Sequence, residues 1–236
     1  MEKLVHALIN RMPEVRLHTS SRVEKIEKGN RWRIHLKTGE LLEADAVCLA
    51  LSAPQANRLL QTFAAEIAGD LARIPYESVA TVNLAYRRSD IQHPLNGFGF
   101  VVPASEKKSF VGCTFSSVKY PGRAPEGQVL LRAFVGGALQ HEMFDLNDDL
   151  LVERVTGELH QILRIKAPPQ FTSVRRYPES MPQYQVGHLS LIDSLEKKLK
   201  DDCGLYLTGN AYRGIGIPDC IHHAEETAEK MYALCL

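Results

Sequence analysis

LYLTGNAYRGIGIPDCI, residues 205–221, joins a short apolar run to a glycine-rich turn and then to a helix start. Leu205 to Thr208 is apolar and β-prone, as a strand buried in a sheet requires. Gly209, Gly214 and Gly216 permit positive φ or the close approach of another molecule to the main chain. From Pro218 to Leu236 the chain reads as a terminal helix, with the proline in the first turn, where its missing N–H costs nothing. A helix that starts directly after a glycine turn aims free N–H groups and about half a unit of positive charge at whatever sits there, which suits an electron-rich or anionic ligand edge. An ordinary strand–turn–helix corner has the same pattern, and the spacing is not G-x-G-x-x-G. On these residues alone, a ligand site and a plain corner are both open.

Outward from this stretch, the 236 residues suffice for one large domain or two modest ones. The 28 Lys and Arg balance the 28 Asp and Glu, so no broad electrostatic footprint for nucleic acid is expected. No run approaches membrane-spanning length, and Met1 to Leu8 carries Glu2, Lys3 and His6 where a signal peptide needs an apolar core. The expectation is a cytoplasmic protein without a transmembrane segment, making at most weak peripheral contact with a membrane. Cys48, Cys113, Cys203, Cys220 and Cys235 are odd in number and scattered without C-x-x-C spacing, which predicts reduced thiols and no metal site.

Residues 2 to 11 place Leu4, Val5, Leu8 and Ile9 at helical spacing before Pro13. A chain that begins inside a helix reads as cut. An extended piece is expected between Val15 and Ile26. The alternation of Arg31 to Leu36, the turn at Thr38-Gly39 and the return over Leu41 to Ala44 predict a β-hairpin. Ala46 to Leu51 is a continuous apolar run, expected as a strand covered on both faces. Ser52-Ala53-Pro54 then leads into a helix from Gln55 to Phe63. This is a dinucleotide-fold style of element, but only a fragment of one.

From about Ile74 the texture becomes strand-rich: Ser78–Tyr86, Gly97–Val102, Phe110–Ser116 and Gln128–Val135. An antiparallel sheet with one face available to a ligand fits these runs. Leu146 to Leu163 follows as an amphipathic helix, with Asp148-Asp149 as its start and not a metal site. Thr172 to Tyr177 is expected as a strand returning to the first domain, Pro178 to His188 as an ordered loop, and Leu189 to Leu199 as another amphipathic helix.

Residues 208–221, Met181-Pro-Gln-Tyr-Gln-Val-Gly-His188, and Gly97 to Pro103 with Phe115-Ser-Ser and Pro121 to Gly127 together resemble the protoporphyrinogen oxidase family. The resemblance runs through the whole chain in order. It implies an FAD-dependent oxidase of haem biosynthesis, built like the monoamine oxidases. The fold class is then α/β plus α+β: a partial, Rossmann-like FAD-binding domain of amine-oxidase type with an inserted mixed or antiparallel sheet as substrate domain. The expected boundaries are 1–73 for one part of the FAD domain, 74–171 for the inserted domain, and 172–236 for the C-terminal part of the FAD domain.

The implied reaction is repeated hydride removal from protoporphyrinogen IX or coproporphyrinogen III, with an oxygen-type final acceptor. No side-chain base is implied, because flavin N5 can accept hydride directly from carbon. Carried over by position, Gly214, Ile215, Gly216, Ile217 and Pro218 match the turn beside the isoalloxazine ring, with helix-start N–H groups facing the flavin N1/C2 edge. Gly209 and Asn210 match the segment near the ribityl and pyrophosphate part, and Val23 matches the backbone near the adenine portion. Met181 and Tyr184 are implied near the junction of flavin and substrate domain, where ordinary seam packing is an equal alternative.

The family opens with a G-x-G-x-x-G strand–turn–helix for the ADP half of FAD, and the quoted sequence contains none. A C-terminal portion is therefore expected, weak in FAD binding by itself and completed by an N-terminal nucleotide-binding half. The remaining polar groups have simpler readings. His222 and His223 are adjacent on one helix and point to different faces, which disfavours joint metal binding. Asp219 suits helix capping, His188 a structural hydrogen bond, and Arg123 and Arg132 either solvent or porphyrin carboxylates. Competing functions are another flavin amine oxidase or desaturase-like enzyme, and a non-catalytic fragment that binds a porphyrin or a partner.

Overall fold

The computed structural model describes residues 2–201 and 204–234 of the chain. In chain order they form α1 (Glu2–Asn10), β1 (Val23–Lys28), β2 (Trp32–Leu36), β3 (Leu41–Ala44), β4 (Val47–Leu49), α2 (Ala53–Leu60), α3 (Ala65–Ala72) and β5 (Tyr76–Arg87). They continue as β6 (Gly99–Val101), β7 (Gly112–Phe115), α4 (Ser116–Lys119), β8 (Gln128–Gly136) and α5 (His141–Phe144). The last elements are α6 (Asp148–Leu163), β9 (Phe171–Pro182), α7 (His188–Asp201), β10 (Leu205–Leu207) and α8 (Ile217–Leu234). They gather into two units, Met1–Arg73 with Gly187–Leu236, and Ile74–Val186. Cys48, Cys113 and Cys220 are free thiols. Cys203, Cys235 and the end of the terminal helix at Leu236 lie outside the described residues. Among the described residues no helix is long and apolar enough to cross a membrane.

In the first unit, the alternation of residues 31–36 buries Trp32 and Leu36, and the Trp32 ring meets Phe63 edge-on at 5.7 Å. The expected hairpin is a three-stranded antiparallel sheet: β1 adds to it, with Ile26 opposite Ile34 and Ile34 opposite Leu42. A second sheet pairs β4 with β10 in parallel. Helices α2, α3 and α7 contribute Ala56, Leu60, Ile67, Leu71, Ile192 and Leu195 to the core. Helix α3, between Ala64 and Arg73, was not anticipated. Its buried Asp70 carboxylate is met by Lys198 Nζ of α7 at 2.8 Å, which matters because an unpaired buried charge is costly. Helix α1 forms as its spacing predicts yet buries nothing: Leu4, Val5, Leu8 and Ile9 remain exposed.

The second unit is a five-stranded antiparallel sheet of order β6-β7-β8-β5-β9. Period two sorts each strand into two faces. Ala80, Val82, Leu84 and Tyr86 of β5, with Leu131, Ala133 and Val135 of β8, face the core. Against them pack Leu151, Val155, Leu159 and Leu163 of α6, one every fourth residue as a single helical stripe demands. Asn147 caps α6 by accepting from Leu150 N–H at 2.9 Å. Cys113 lies in this core, where burial pushes its thiol up to about 12 and leaves it unreactive.

The inserted unit ends at Val186, beyond the expected boundary at 171. Phe171–Pro182 is one continuous strand paired with β5, from Ala85 opposite Phe171 to Tyr76 opposite Pro182, so both the expected return to the first domain at Thr172 and the loop from Pro178 are corrected. The prolines and the scarcity of apolar residues after Tyr177 masked this strand. Pro178 and Pro182 are tolerated because β9 is an edge strand, where one row of N–H groups needs no ladder partner. Neighbouring arginines on β9 divide between its faces. Arg176 donates to the carbonyls of Phe144 and Leu146 and to Asp148 Oδ1, tying β9 to the start of α6. Replacing Arg176 with Met is expected to lower the stability of this unit by about 1.5–3 kcal/mol, measured by urea unfolding. Arg175→Met, on the other face, is expected to change it by less than about 0.5 kcal/mol; equal losses would show that this anchor does not hold the edge.

Candidate functional site

The site is built from the parallel pair β4–β10, whose register sets Val47 beside Leu205, Cys48 beside Tyr206 and Leu49 beside Leu207. Parallel strands bring their C-terminal ends to one edge, the end at which open α/β sheets meet ligands. Two strand-to-helix corners therefore lie together: Leu51 to Pro54 entering α2, and Thr208 to Gly216 entering α8. Thr208 N–H donates to the Leu49 carbonyl at 3.2 Å, and a Cβ on Gly209 (φ +133) would sit 3.8 Å from the Leu51 oxygen.

At the second corner the glycines are required, and the reason is internal. A Cβ on Gly214 (φ +144) would lie 2.5 Å from Asp219 Cβ and 2.8 Å from its Oδ2, and one on Gly216 would lie 2.7 Å from Oδ2. Asp219 is folded back into the turn, where Oδ2 accepts from Gly216 N–H at 3.1 Å. Cys220 N–H then donates to the Gly216 carbonyl at 2.9 Å and starts the α8 ladder. The capping role expected of Asp219 is what its geometry performs. Outside the turn, Ile215, Ile217 and Ile221 remain about half exposed. Ile217 and Ile221 are four apart on one helix face, so main chain and apolar side chains make a continuous surface at the helix start.

A buried hydrogen bond joins the other quoted motif to this corner. His188, at the start of α7 and 7% exposed, has Nε2 at 3.0 Å from the Tyr212 carbonyl. A carbonyl only accepts, so Nε2 carries the proton. Arg213 clamps the next residue to α7 through Asp193 and Glu196, both at 2.8 Å. Hydrogen bonding to these two carboxylates raises the Arg213 pKa, and Arg213 in turn lowers that of Glu196. Tyr212 is buried against the His223 ring at 6.1 Å, and Thr208 Oγ1 lies 3.4 Å from His223 Nδ1. Burial pushes the His223 imidazole below the ordinary histidine range.

Of the residues singled out in the sequence, Gly209, Asn210 and Gly214 to Pro218 all fall in the β10–α8 connection. Val23 stands apart as the first residue of β1 in the antiparallel sheet. Met181, in β9 opposite Glu77, and Tyr184 belong to the second unit. His222 pairs with Glu226 at 3.4 Å while His223 points inward, as their adjacency predicted.

The sequence matches the profile of the family described as flavin containing amine oxidoreductase over residues 1–232. The chain belongs to that family. It is 33% identical over 223 residues to a coproporphyrinogen III oxidase of Bacillus subtilis (strain 168), covering 94% of this chain and 47% of that protein. It is 30% identical to a chloroplastic protoporphyrinogen oxidase of Nicotiana tabacum, covering 89% of this chain and 41% of the relative. A crystal structure from Exiguobacterium sp. 255-15, provisionally named a protoporphyrinogen oxidase, superposes with a TM-score of 0.80 at 30% identity, covering 96% of this chain and 50% of that one. The reduced UDP-galactopyranose mutase structure shares the fold at a TM-score of 0.71 and 15% identity. The chain thus spans about half the length of the relatives it matches.

A flavin, which the family name implies, fits this corner: half-exposed main chain at Gly214 and Gly216 lies beside the exposed side chains of Ile215 and Ile217, which suits a flat ring edge. Sequence reasoning missed the Thr208–Tyr212–His223 packing and a cavity of about 340 Å³ bordered by Tyr206, His223, Thr227, Leu199, Lys200 and Lys230. Only tertiary contact gathers those residues. The Gly-His dipeptide was the sole trace of the network in the sequence.

Gly214→Ala is expected to expel Asp219 and cost about 1–3 kcal/mol. In an Asp219→Gly background the same change is expected to cost distinctly less, a coupling measurable by a double-mutant cycle; an undiminished cost would mean the clash is not with Asp219. For His223 the depressed native pKa means that the unfolded chain binds the proton more readily. Its contribution is fully present above the ordinary histidine pKa of about 6.5 and is lost as pH falls through the lower native value. Urea midpoints followed by Trp32, the single tryptophan, are expected to fall from pH 7.5 to 5, and to fall less in His223→Gln.

Proposed function

We propose that this chain supplies the C-terminal portion of an FAD-dependent porphyrinogen oxidase of haem biosynthesis, acting on protoporphyrinogen IX or coproporphyrinogen III. The observation that carries the reading is the β10–α8 corner, where half-exposed main chain at Gly214 and Gly216, with Asp219 packed into the turn, lies beside exposed Ile215 and Ile217. The names of the relatives support it, coproporphyrinogen III oxidase among them in Bacillus subtilis and Staphylococcus aureus. The ADP part of FAD would be held by a nucleotide-binding half outside these residues, which this reading requires.

Bound at this corner, FAD supplies the two-electron acceptor for hydride leaving a substrate carbon. Gly214 to Pro218 would border the ring edge through main chain, and Ile215, Ile217 and Ile221 would exclude water from it. Gly209 and Asn210 would take the ribityl and pyrophosphate side, and Val23 the adenine side. Asp219 changes the electrostatics expected of the helix start. A full negative charge next to about half a unit of positive charge leaves that end unable to favour an anionic ring edge strongly. Arg213, held by two carboxylates, and His188, donating to Tyr212, position the turn and leave proton transfer to solvent or substrate.

Co-expression with a nucleotide-binding half from a relative is expected to restore bound-flavin absorbance and fluorescent porphyrin formation from a porphyrinogen. A reunited protein that takes up no flavin would remove this reading. Flavin uptake with turnover of amines or polyenes and none of porphyrinogens would favour an amine-oxidase or desaturase-like enzyme instead.

A further inference from the structure

The anion seat at the start of α8 is filled by the chain itself. A helix start holds an anion by presenting several unspent N–H groups together with about half a unit of positive charge. Here Gly216 N–H is spent on Asp219 Oδ2 at 3.1 Å, Pro218 has no N–H to offer, and Cys220 N–H donates to the Gly216 carbonyl at 2.9 Å. The Cys220 thiol closes the same turn at 3.7 Å from the Gly214 carbonyl. The space that admits the carboxylate is the space a side chain would take: a Cβ on Gly214 or Gly216 would lie 2.8 or 2.7 Å from Oδ2. Two absent side chains and one folded-back carboxylate therefore make a single device.

Residues 205–221 contain one cation, Arg213, and one acid, Asp219. They do not cancel each other. Arg213 is committed to Asp193 and Glu196 of α7, each at 2.8 Å, and among the described residues no cation pairs with Asp219. Asp219 is exposed in this chain, so water screens its charge. A flat ring lying on the main chain of Gly214 to Ile217, with the exposed Ile215 and Ile217 side chains beside it, would displace part of that water. The lower the local dielectric, the further the carboxylate acts.

We propose that Asp219 sets the electron affinity of a flavin bound at this corner, holding its anionic reduced form at a disadvantage. The proposal rests on the porphyrinogen oxidase reading and deepens it by assigning the residue that tunes the cofactor. A hydride carries two electrons and one proton, so its arrival gives a neutral ring one negative charge, at the edge the helix start faces. A vacant helix start would stabilise that charge, and a carboxylate seated in it opposes it. Asp219 thereby favours release of the electrons: those two electrons and that proton, with one further proton from solvent, reduce dioxygen to hydrogen peroxide and leave the ring neutral.

The test uses this chain joined to a relative's nucleotide-binding half and loaded with FAD, with two readouts that need no turnover. One is the flavin reduction potential; the other is titration with sulfite, which adds to oxidised flavin and leaves a negative charge on the ring. Asp219→Asn keeps an oxygen that accepts from Gly216 N–H and removes the charge. It is expected to tighten sulfite binding about tenfold and to shift the reduction equilibrium about tenfold towards reduced flavin, about 30 mV for a two-electron couple. Asp219→Ser, which also caps, is expected to do the same. Glu229→Gln, at an exposed position of α8 roughly 15 Å further along the helix, is expected to change neither readout. Flavin uptake with both readouts unchanged or reversed in the Asn and Ser variants would overturn the proposal, make Asp219 a cap alone and leave the oxidase reading standing. Loss of flavin uptake in both variants would overturn it too, marking Asp219 as needed for the shape of the turn. The expected shifts without porphyrinogen turnover would keep the role of Asp219 and remove the oxidase reading, and no flavin uptake by the wild-type protein would remove both.

Discussion

The parallel pairing of Val47–Leu49 with Leu205–Leu207 is the constraint on which the candidate site depends. Antiparallel neighbours can be joined by a two-residue turn, but a parallel pair needs a long crossover, and here the whole of the second unit lies between the two strands in sequence. Three residues of ladder contribute little by themselves. The pair persists because Leu49, Leu205 and Leu207 are buried and because α2, α3 and α7 pack into the same core. Once formed, it brings two strand ends and two helix starts to one edge.

Around that edge the second layer of contacts is polar, buried at His188 and exposed at Arg213 and Asp219. His188 donates to Tyr212, Arg213 grips two carboxylates of α7, and Asp219 closes the glycine turn. Each bond fixes main chain and leaves the outer surface of the turn free. The corner is held from inside, and its outside presents glycine backbone and isoleucine. Electrostatics and shape then separate: shape favours a flat ring edge, while the Asp219 carboxylate offsets the positive end of α8. A ligand there gains more from fit and water exclusion than from the helix dipole.

Much of the architecture was legible where one physical signal acted alone. Arg31 to Leu36 alternates and pairs as alternation demands, and Leu151, Val155, Leu159 and Leu163 repeat at helical spacing and pack as one stripe. Legibility failed where signals competed. Phe171–Pro182 carries prolines and polar residues that mimic a loop, and only its place at a sheet edge makes them acceptable. Helix α1 shows the opposite case, with correct periodicity and no buried face.

The sequence by itself determined the local elements and the glycine corner, because positive φ, helical stripes and strand alternation are properties of neighbouring residues. It also carried the family resemblance, which lives in short motifs. The partnership of those motifs was decided only by tertiary structure. Nothing in the spacing says that the Gly-His dipeptide donates to the Tyr212 carbonyl, that Asp219 fills the space the glycines leave, or that Arg175 and Arg176 turn to opposite faces of one sheet. Those facts depend on strand register and burial between residues far apart in the chain, and register is set by how the whole sheet packs.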